Sequence, residues 1–172
     1  MDSVRVLISL GSNIGDRLGW IQKGLDLWRR AANVTILGHS RVYESPPVGD
    51  GIYTADFLNA AIALDTTLTS TGIINLCHRI ENECGRDREK SHREGHDNRT
   101  LDCDIIFYGK HESNGPNMRI PHPDWQDRAF VVKPLVDLER HLDEWQSVRL
   151  SEILPKDFPE NENARVYDGI LS

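Results

Sequence analysis

Four parts of the chain that are rich in apolar residues are predicted to be β-strands. The predicted strands span residues 4–10, 34–43, 57–66 and 101–108. Leu58, Ala60, Ile62 and Leu64 are expected on one face of the third strand and Phe57, Asn59, Ala61 and Ala63 on the other, because successive side chains of a strand point to opposite faces.

Apolar residues at helical spacing follow the first strand and the third strand, and they predict two helices. A first helix is predicted to end near Arg30, and its inward residues are Leu18, Ile21, Leu25 and Trp28. A second runs from Thr69 to about Cys84, with Thr69 or Ser70 as N-cap and Gly85 at its end. Residues 131–138 form either a strand or a helix, and 148–154 are predicted to be briefly helical.

The length of 172 residues favours one domain, with a core at about 4–138 and an extension at 139–172. A net charge of −7 argues against binding to nucleic acid or to a membrane surface. Three cysteines without a Cys-x-x-Cys pair fit a reduced, cytoplasmic protein. No signal peptide or membrane-spanning segment is recognisable in the sequence.

Two acids interrupt the fourth apolar strand. Asp102 and Asp104 are expected to point to the same side, opposite a core-facing row made of Leu101, Cys103, Ile105 and Phe107. Adjacent carboxylates repel each other and need a cation, and Mg²⁺ takes one or two carboxylates while leaving positions for phosphate oxygens. Arg99 is available to hold such a phosphate. The alternative is a solvated outer face on an edge strand.

Three further polar features are candidates for binding. The glycine-rich turn at 11–17 is interpreted as structural, with a phosphate cradle as the alternative. The proline-rich loop at 44–51 is either a plain connection or a stiff wall for a flat ligand. Asn59 needs a partner, either a backbone group or the edge of a heterocycle.

Residues 86–98 are almost entirely charged or polar and predict an exposed loop. His92 and His96 are spaced like half of a zinc site but lack further ligands nearby, so a solvated loop is favoured. His122 lies between two prolines, near Arg119 and Arg128, which leaves a structural role and phosphate binding both open.

Taken together, these segments resemble the 6-hydroxymethyl-7,8-dihydropterin pyrophosphokinases. The matching pieces, in chain order, are Leu-Gly-Ser-Asn-Ile-Gly-Asp-Arg at 10–17, Tyr-Glu-Ser-Pro-Pro-Val-Gly at 43–49, Phe-Leu-Asn-Ala-Ala at 57–61, Ile-Glu-x-x-x-Gly-Arg-x-Arg at 80–88, Arg-Thr-Leu-Asp-Cys-Asp-Ile at 99–105, and Ile-Pro-His-Pro followed by Arg-Ala-Phe-Val at 120–131. Many members carry Trp-Gly-Pro where this chain has His96-Asp97-Asn98.

The resemblance implies a ferredoxin-like α+β sandwich, with a central antiparallel sheet flanked by helices. It implies transfer of pyrophosphate from ATP to 6-hydroxymethyl-7,8-dihydropterin in folate biosynthesis, with two Mg²⁺ ions on Asp102 and Asp104, in a monomer. Arg86 and Arg99 would join these two acids as catalytic residues. The nucleotide would contact Glu81, Arg86, Arg88, Arg99, Ile105, His122 and Arg128. The pterin would contact Ser45, Pro46, Pro47, Val48, Gly49, Phe57, Asn59, Asp102 and Phe130.

Two other functions stay open from the sequence. A non-catalytic paralogue would bind pterin or nucleotide without transfer, which the altered 86–98 loop allows. A ferredoxin-like RNA-binding module is disfavoured by the acidic charge and by the absence of an aromatic RNA-binding strand.

Overall fold

The computed structural model describes residues 3–87, 89, 97–115, 118–142, 155, 157 and 163–172. The strands are β1 (Val4–Ser12), β2 (Val34–His39), β3 (Tyr43–Ser45), β4 (Phe57–Thr66), β5 (Asp102–Tyr108), β6 (Ser113–Gly115), β7 (Met118–Ile120) and β8 (Arg165–Val166). The helices are α1 (Arg17–Arg30), α2 (Ser70–Glu83) and α3 (Ala129–Asp137), with short 3₁₀ turns at Trp125–Asp127 and Leu138–His141.

Six strands form one sheet in the order β5-β1-β4-β3-β8, and β2 pairs with β4 beyond the end of β3. All pairings in it are antiparallel. The two longest strands, β1 and β4, lie side by side, with Gly11 opposite Asn59. β5 forms one edge, so Asp102 lies next to Gly11 and Asp104 next to Ser9.

Helices α1 and α2 cover one face of the sheet. The apolar stripe of α1 and the inward side of α2 pack on the face predicted for β4, and the buried residues there include Ile21, Leu25, Trp28, Ile73, Ile80, Ile8, Leu58, Ile62 and Leu64. A fully buried side chain of this size contributes about 1.5–3 kcal/mol.

Helix α3 packs on the other face, against the small side chains of Ala61 and Ala63. The apolar run at 131–138 is therefore helical for most of its length. Helices on both faces of an antiparallel sheet give the expected ferredoxin-like α+β sandwich. None of the helices in the described ranges is long and apolar enough to cross a bilayer.

The structure corrects three local predictions. The strand predicted at 34–43 is two strands, because the chain turns at Ser40, whose Oγ accepts a hydrogen bond from the Ala61 N–H at 2.9 Å. A register shift between Leu7 and Ile8 moves Phe107 to the α3 face, away from Ile105. The polar turn predicted at 111–117 contains the short strand β6.

The helix ends follow the predicted chemistry. The Thr69 side chain accepts a hydrogen bond from the Gly72 N–H at 3.1 Å, and Gly85 adopts a φ of +80°, which glycine tolerates well. Asp16 caps α1 in the same way through Gly19. The helix predicted at 148–154 lies outside the described residues.

Candidate active site

Two cavities meet at the carboxylate-bearing strand β5. The smaller, of about 140 Å³, lies over the ends of β1, β3 and β4 and includes Asp102 and Asp104. The larger, of about 300 Å³, lies between α2 and the segment around His122, and it also includes Asp104. Asp104 is thus shared by both cavities, so ligands in the two would approach each other at this residue.

The wall of the smaller cavity is fixed by hydrogen bonds within the chain. The side-chain N–H of Asn59, 2% exposed, donates to Ser45 Oγ at 3.0 Å. This bond joins β4 to β3 and leaves the Asn59 side-chain oxygen beside Gly11. A Cβ added to Gly11 would lie 3.4 Å from that oxygen. Gly11 therefore keeps open the space in which a ligand N–H can reach that oxygen.

A hydrogen-bond network of Asn13 and Asn98, which we call the asparagine clamp, anchors the loop beside this cavity. Asn98 Oδ1 accepts from Asn13 Nδ2 at 2.6 Å and from the Thr54 N–H at 3.1 Å. Asn13 Oδ1 in turn accepts from the Arg99 N–H at 2.7 Å. The clamp holds the glycine-rich turn, the 46–55 loop and the start of the Arg99 segment together.

Asp97 adds a second connection to the same loop. Its N–H donates to the Ile52 carbonyl at 2.8 Å, and its carboxylate accepts from the Ile52 N–H at 3.1 Å. The glycine-rich turn has a structural role through Asn13, which belongs to the asparagine clamp, and Asp16, which caps α1.

Aromatic and guanidinium groups surround the smaller cavity. The Tyr53 and Phe57 rings meet edge to face with centroids 5.6 Å apart. Arg99 lies 5.9 Å from the centre of the Phe57 ring, and Arg128 lies 5.9 Å from that of Phe130. Flat apolar surfaces beside a hydrogen-bonding amide suit a planar heterocycle.

Asp102 is held by two arginines. Arg86 and Arg99 each donate to a different oxygen of its carboxylate, the latter at 2.5 Å. Burial alone would raise the pKa of Asp102, but the two guanidinium charges outweigh it and hold that pKa below the usual value. Asp102 therefore stays ionised, with its side chain only 13% exposed.

Asp104 has a different environment. In the described part of the chain, no hydrogen bond reaches its carboxylate. Burial and the neighbouring charge of Asp102 raise the pKa of Asp104 to about 7. Arg99 and Arg86 compensate its charge only in part. A carboxylate of this kind facing two cavities is a place where an added cation would be stabilising.

Glu81 supports this arrangement from behind. It is 2% exposed, accepts from the Cys103 N–H at 2.9 Å and pairs with Arg86. Its contacts position β5 and Arg86, and it does not line either cavity.

The larger cavity has an apolar floor and a polar rim. Its lining residues are Ile74, Cys77, His78, Cys103, Asp104, Ile105, Arg119, Ile120, His122 and Pro123. Burial and the charge of Arg128 lower the pKa of His122, which favours a neutral imidazole.

The structure brings most of the predicted residues to these two cavities. The smaller is lined by Ser45, Pro46, Val48, Phe57, Asn59, Arg99, Asp102, Asp104, Arg128 and Phe130. Ile105 and His122 line the larger cavity. Arg128 was expected beside the nucleotide but borders the smaller cavity, while Pro47 and Gly49 belong to its loop without lining it. Arg88, His92 and His96 lie outside the described residues.

Several residues that line the smaller cavity were not predicted from the sequence. Ser9, Gly11 and Tyr53 line the smaller cavity, and the asparagine clamp holds its loop. Tyr53 follows a run of glycine and proline, and an aromatic residue in such a loop is the signal that could have identified it. Asn98 carries no such signal.

The carboxylate pair suits Mg²⁺, whose hard-oxygen preference needs only one or two protein carboxylates when phosphates supply other ligands. Within the described ranges, no group of three or more metal-binding side chains is present. The only partly compensated charge of Asp104 fits a cation, whereas both oxygens of Asp102 are engaged by arginines and would have to exchange them.

Comparison with known proteins agrees with this geometry. A model of the family 7,8-dihydro-6-hydroxymethylpterin-pyrophosphokinase (HPPK) matches residues 7–140. The 2-amino-4-hydroxy-6-hydroxymethyldihydropteridine pyrophosphokinase of Bacillus subtilis is 38% identical over 131 residues, which cover 76% of this chain and 75% of that protein. The enzyme of the same name from Pseudomonas aeruginosa is 37% identical, covering 78% and 80%.

Longer proteins also match. The folate synthesis bifunctional protein of Arabidopsis thaliana is 40% identical over 136 residues, and the match covers 77% of this chain but 26% of that protein. The wild-type HPPK-DHPS crystal structure from Plasmodium falciparum shares the fold, with a TM-score of 0.58 at 11% identity, over 88% of this chain and 44% of that one. On the family match and the identity to single-function relatives, the chain belongs to the HPPK family.

Proposed function

We propose that this chain carries out its family's reaction at the junction of the two cavities. In that reaction ATP donates pyrophosphate to 6-hydroxymethyl-7,8-dihydropterin, giving AMP and the pterin diphosphate for folate biosynthesis. The observation that carries the proposal is Asp104, shared by a cavity suited to a planar heterocycle and by one suited to a nucleotide.

The smaller cavity is assigned to the pterin. Asn59 presents an oxygen for a ring N–H, and its own N–H is already given to Ser45. Phe57 and Phe130 supply flat apolar surfaces, to which Tyr53 is added, while Pro46 and Val48 form the loop wall. Such a frame orients the acceptor hydroxyl toward Asp102 and Asp104 without a large rearrangement.

The larger cavity is assigned to the nucleotide. Ile74, Ile105 and Ile120 form an apolar surface for a base, and His122 with Arg119 forms a polar rim. Arg86, which lines neither cavity, and Arg99, which lines the smaller one, both bind the Asp102 carboxylate. Both are therefore within reach of a phosphate bound beside Asp102 and are suited to forked contacts with its oxygens. Arg88 is retained in this group as a prediction.

We propose Mg²⁺ as the cofactor, in two ions held by Asp102 and Asp104. When bound to ATP, the ions would neutralise phosphate charge and align the transferred group. The chain's own residues then have defined tasks: Arg86 and Arg99 leave the Asp102 oxygens for phosphate, and Glu81 keeps Arg86 within reach through their ion pair. The pterin hydroxyl would attack the β-phosphorus in line and lose its proton to solvent, while the bond between the β-phosphorus and the α,β-bridging oxygen breaks and AMP leaves with that oxygen.

The test is AMP release from ATP in the presence of Mg²⁺ and the hydroxymethyl pterin, with and without EDTA. AMP and pterin diphosphate should form in equal amounts and only when metal is present. Pterin or nucleotide binding without AMP would favour the non-catalytic paralogue, and no binding of either would overturn the assignment. Turnover that is unchanged in EDTA would overturn the metal proposal alone.

We further propose that the chain acts as a monomer in the cytoplasm. The three cysteines are free and buried, which suits a reducing compartment. Light scattering of the purified chain gives the mass that tests the first point.

A further inference from the structure

Segment 163–172 lies beyond the family-matched residues 7–140 but packs behind the smaller cavity. Its strand β8 pairs with β3, placing Val166 opposite Tyr43 and Arg165 opposite Glu44. The Tyr167 N–H adds a hydrogen bond to the Val42 carbonyl at 2.9 Å. Since β3 has only three residues, its position depends on neighbours on both sides.

The same segment also contacts a second wall of the smaller cavity, the one formed by helix α3. Ala164, 4% exposed, packs in one cluster with Tyr43 and Ala129, and Phe130 packs against that cluster. Lys133 of α3 donates to the Ala164 carbonyl at 2.7 Å and to the Asn163 side chain at 2.6 Å. The segment is therefore bonded to the helix that carries Phe130 and to the strand that carries Ser45.

Both of these walls border the smaller cavity. Ser45 fixes the Asn59 amide, and Phe130 supplies an aromatic face, so a shift of either wall changes the space available to a planar ring. A change well under the thickness of an aromatic ring would alter the contact on both sides.

We propose that residues 163–166 are a positioning element of the pterin site, and that Lys133 is the positioning residue that ties them to α3. The inference rests on the assignment of the smaller cavity to the pterin. Neither Lys133 nor Ala164 lines the cavity, so each acts through Phe130 and Ser45.

The experiment compares Lys133→Met, Lys133→Arg and the control Lys110→Met, all in the full chain. Lys110 is an exposed lysine outside this contact. In Lys133→Met, the KM for the pterin should rise roughly tenfold while the KM for ATP and kcat stay within about twofold, because only acceptor binding is lost. Lys133→Arg should restore most of the affinity, and Lys110→Met should match the wild type.

Ala164→Leu gives a second, independent variant. The larger side chain overfills the cluster beside Phe130, so it should also raise the pterin KM selectively. Calorimetric titration with the pterin alone should show the same loss of affinity as the kinetics in both variants.

Equal rises in both KM values, or a lowered Tm with both KM values unchanged, would overturn the positioning role. A wild-type chain that neither binds nor converts the pterin would overturn the proposed function and this inference together. A wild-type chain that turns over normally, with variants indistinguishable from it, would overturn this inference only.

Discussion

The two sides of the active site are built differently. On the side of the loop and strand wall of the smaller cavity, polar groups find partners within the chain: Asn59 with Ser45, and Asn98 with Asn13 and the Thr54 N–H. On the side of the carboxylates, charge is concentrated and only partly compensated, and burial raises the pKa of Asp104 to about 7.

This contrast fits two different tasks. A neutral planar ring is recognised by shape and a few hydrogen bonds, which requires a frame that is already in place. A triphosphate with its metal ions brings charge of its own, so the protein can keep an unfavourable carboxylate there that the ligand then compensates. The first side should be sensitive to lost packing, and the second to lost charge.

Substitution of the shared carboxylate should have the largest effect. In Asp104→Asn, kcat should fall on the order of 10³-fold, the loss expected when a group that stabilises transition-state charge is removed. Pterin affinity should change little, because the frame around Asn59 is untouched. AMP formation and pterin titration measure the two effects separately.

Asp50→Asn is the matched control, since Asp50 is an exposed acid on the loop beside the smaller cavity. It should keep wild-type turnover. Asp102→Asn should also abolish AMP formation while the chain stays folded. Near-normal turnover in either active-site variant would contradict the metal assignment and remove the charge-dependent half of the comparison.

Loss of the asparagine clamp should affect the wall of the smaller cavity and not the carboxylates. Asn98→Ala removes the acceptor of the Thr54 N–H and of the Asn13 side-chain N–H, and an unsatisfied buried group costs about 1–3 kcal/mol. Thr54 is exposed, so water can replace its bond, whereas Asn13 is buried. The free energy of unfolding should therefore fall by roughly 1–3 kcal/mol. The pterin KM should rise more than the ATP KM, because the 46–55 loop loses its anchor.

Urea unfolding and steady-state kinetics check this result. Asn114→Ala, at an exposed position on β6, provides the control and should change neither quantity. A variant in which the ATP KM alone rises would show that the clamp serves the nucleotide side, and the contrast between the two sides would then be wrong.

The sequence was informative where the periodicity of side chains decides the structure. The alternation in β4 correctly assigned Leu58 and Ala61 to opposite faces, because burial on both faces of a strand requires only local geometry. Thr69 and Gly85 likewise marked the ends of α2 through local hydrogen bonding and backbone preference.

The features that could not be predicted from the sequence depend on contacts between residues far apart in the chain. Asn13 and Asn98 are 85 positions apart, and nothing local says that their amides meet. The register shift that moves Phe107 off the predicted face arises from the pairing of β1 with β5. The family resemblance supplied Arg86 and the pterin role of Asn59. It could not supply Tyr53, which lies in the loop between two of the recognised motifs and lines the smaller cavity.

The smallest expected effect concerns the support behind the smaller cavity at low pH. Asp137 at the end of α3 accepts from the Tyr43 O–H of β3 at 2.9 Å and pairs with Arg41 at 2.8 Å. Burial would raise the pKa of Asp137, but these partners outweigh it and hold that pKa below its usual value. The carboxylate therefore stabilises the folded chain above about pH 4, the pKa of an unfolded aspartate, and this contribution disappears as the pH falls through the folded pKa.

At pH 7, Asp137→Asn should be about 1–2 kcal/mol less stable than the wild type, and the difference should shrink below pH 4. Asp50→Asn, measured in the same urea series, should show no such pH-dependent difference. If the Asp137→Asn difference persisted unchanged at pH 3, the link between α3 and β3 would depend on packing, and the frame behind the pterin site would be independent of charge altogether.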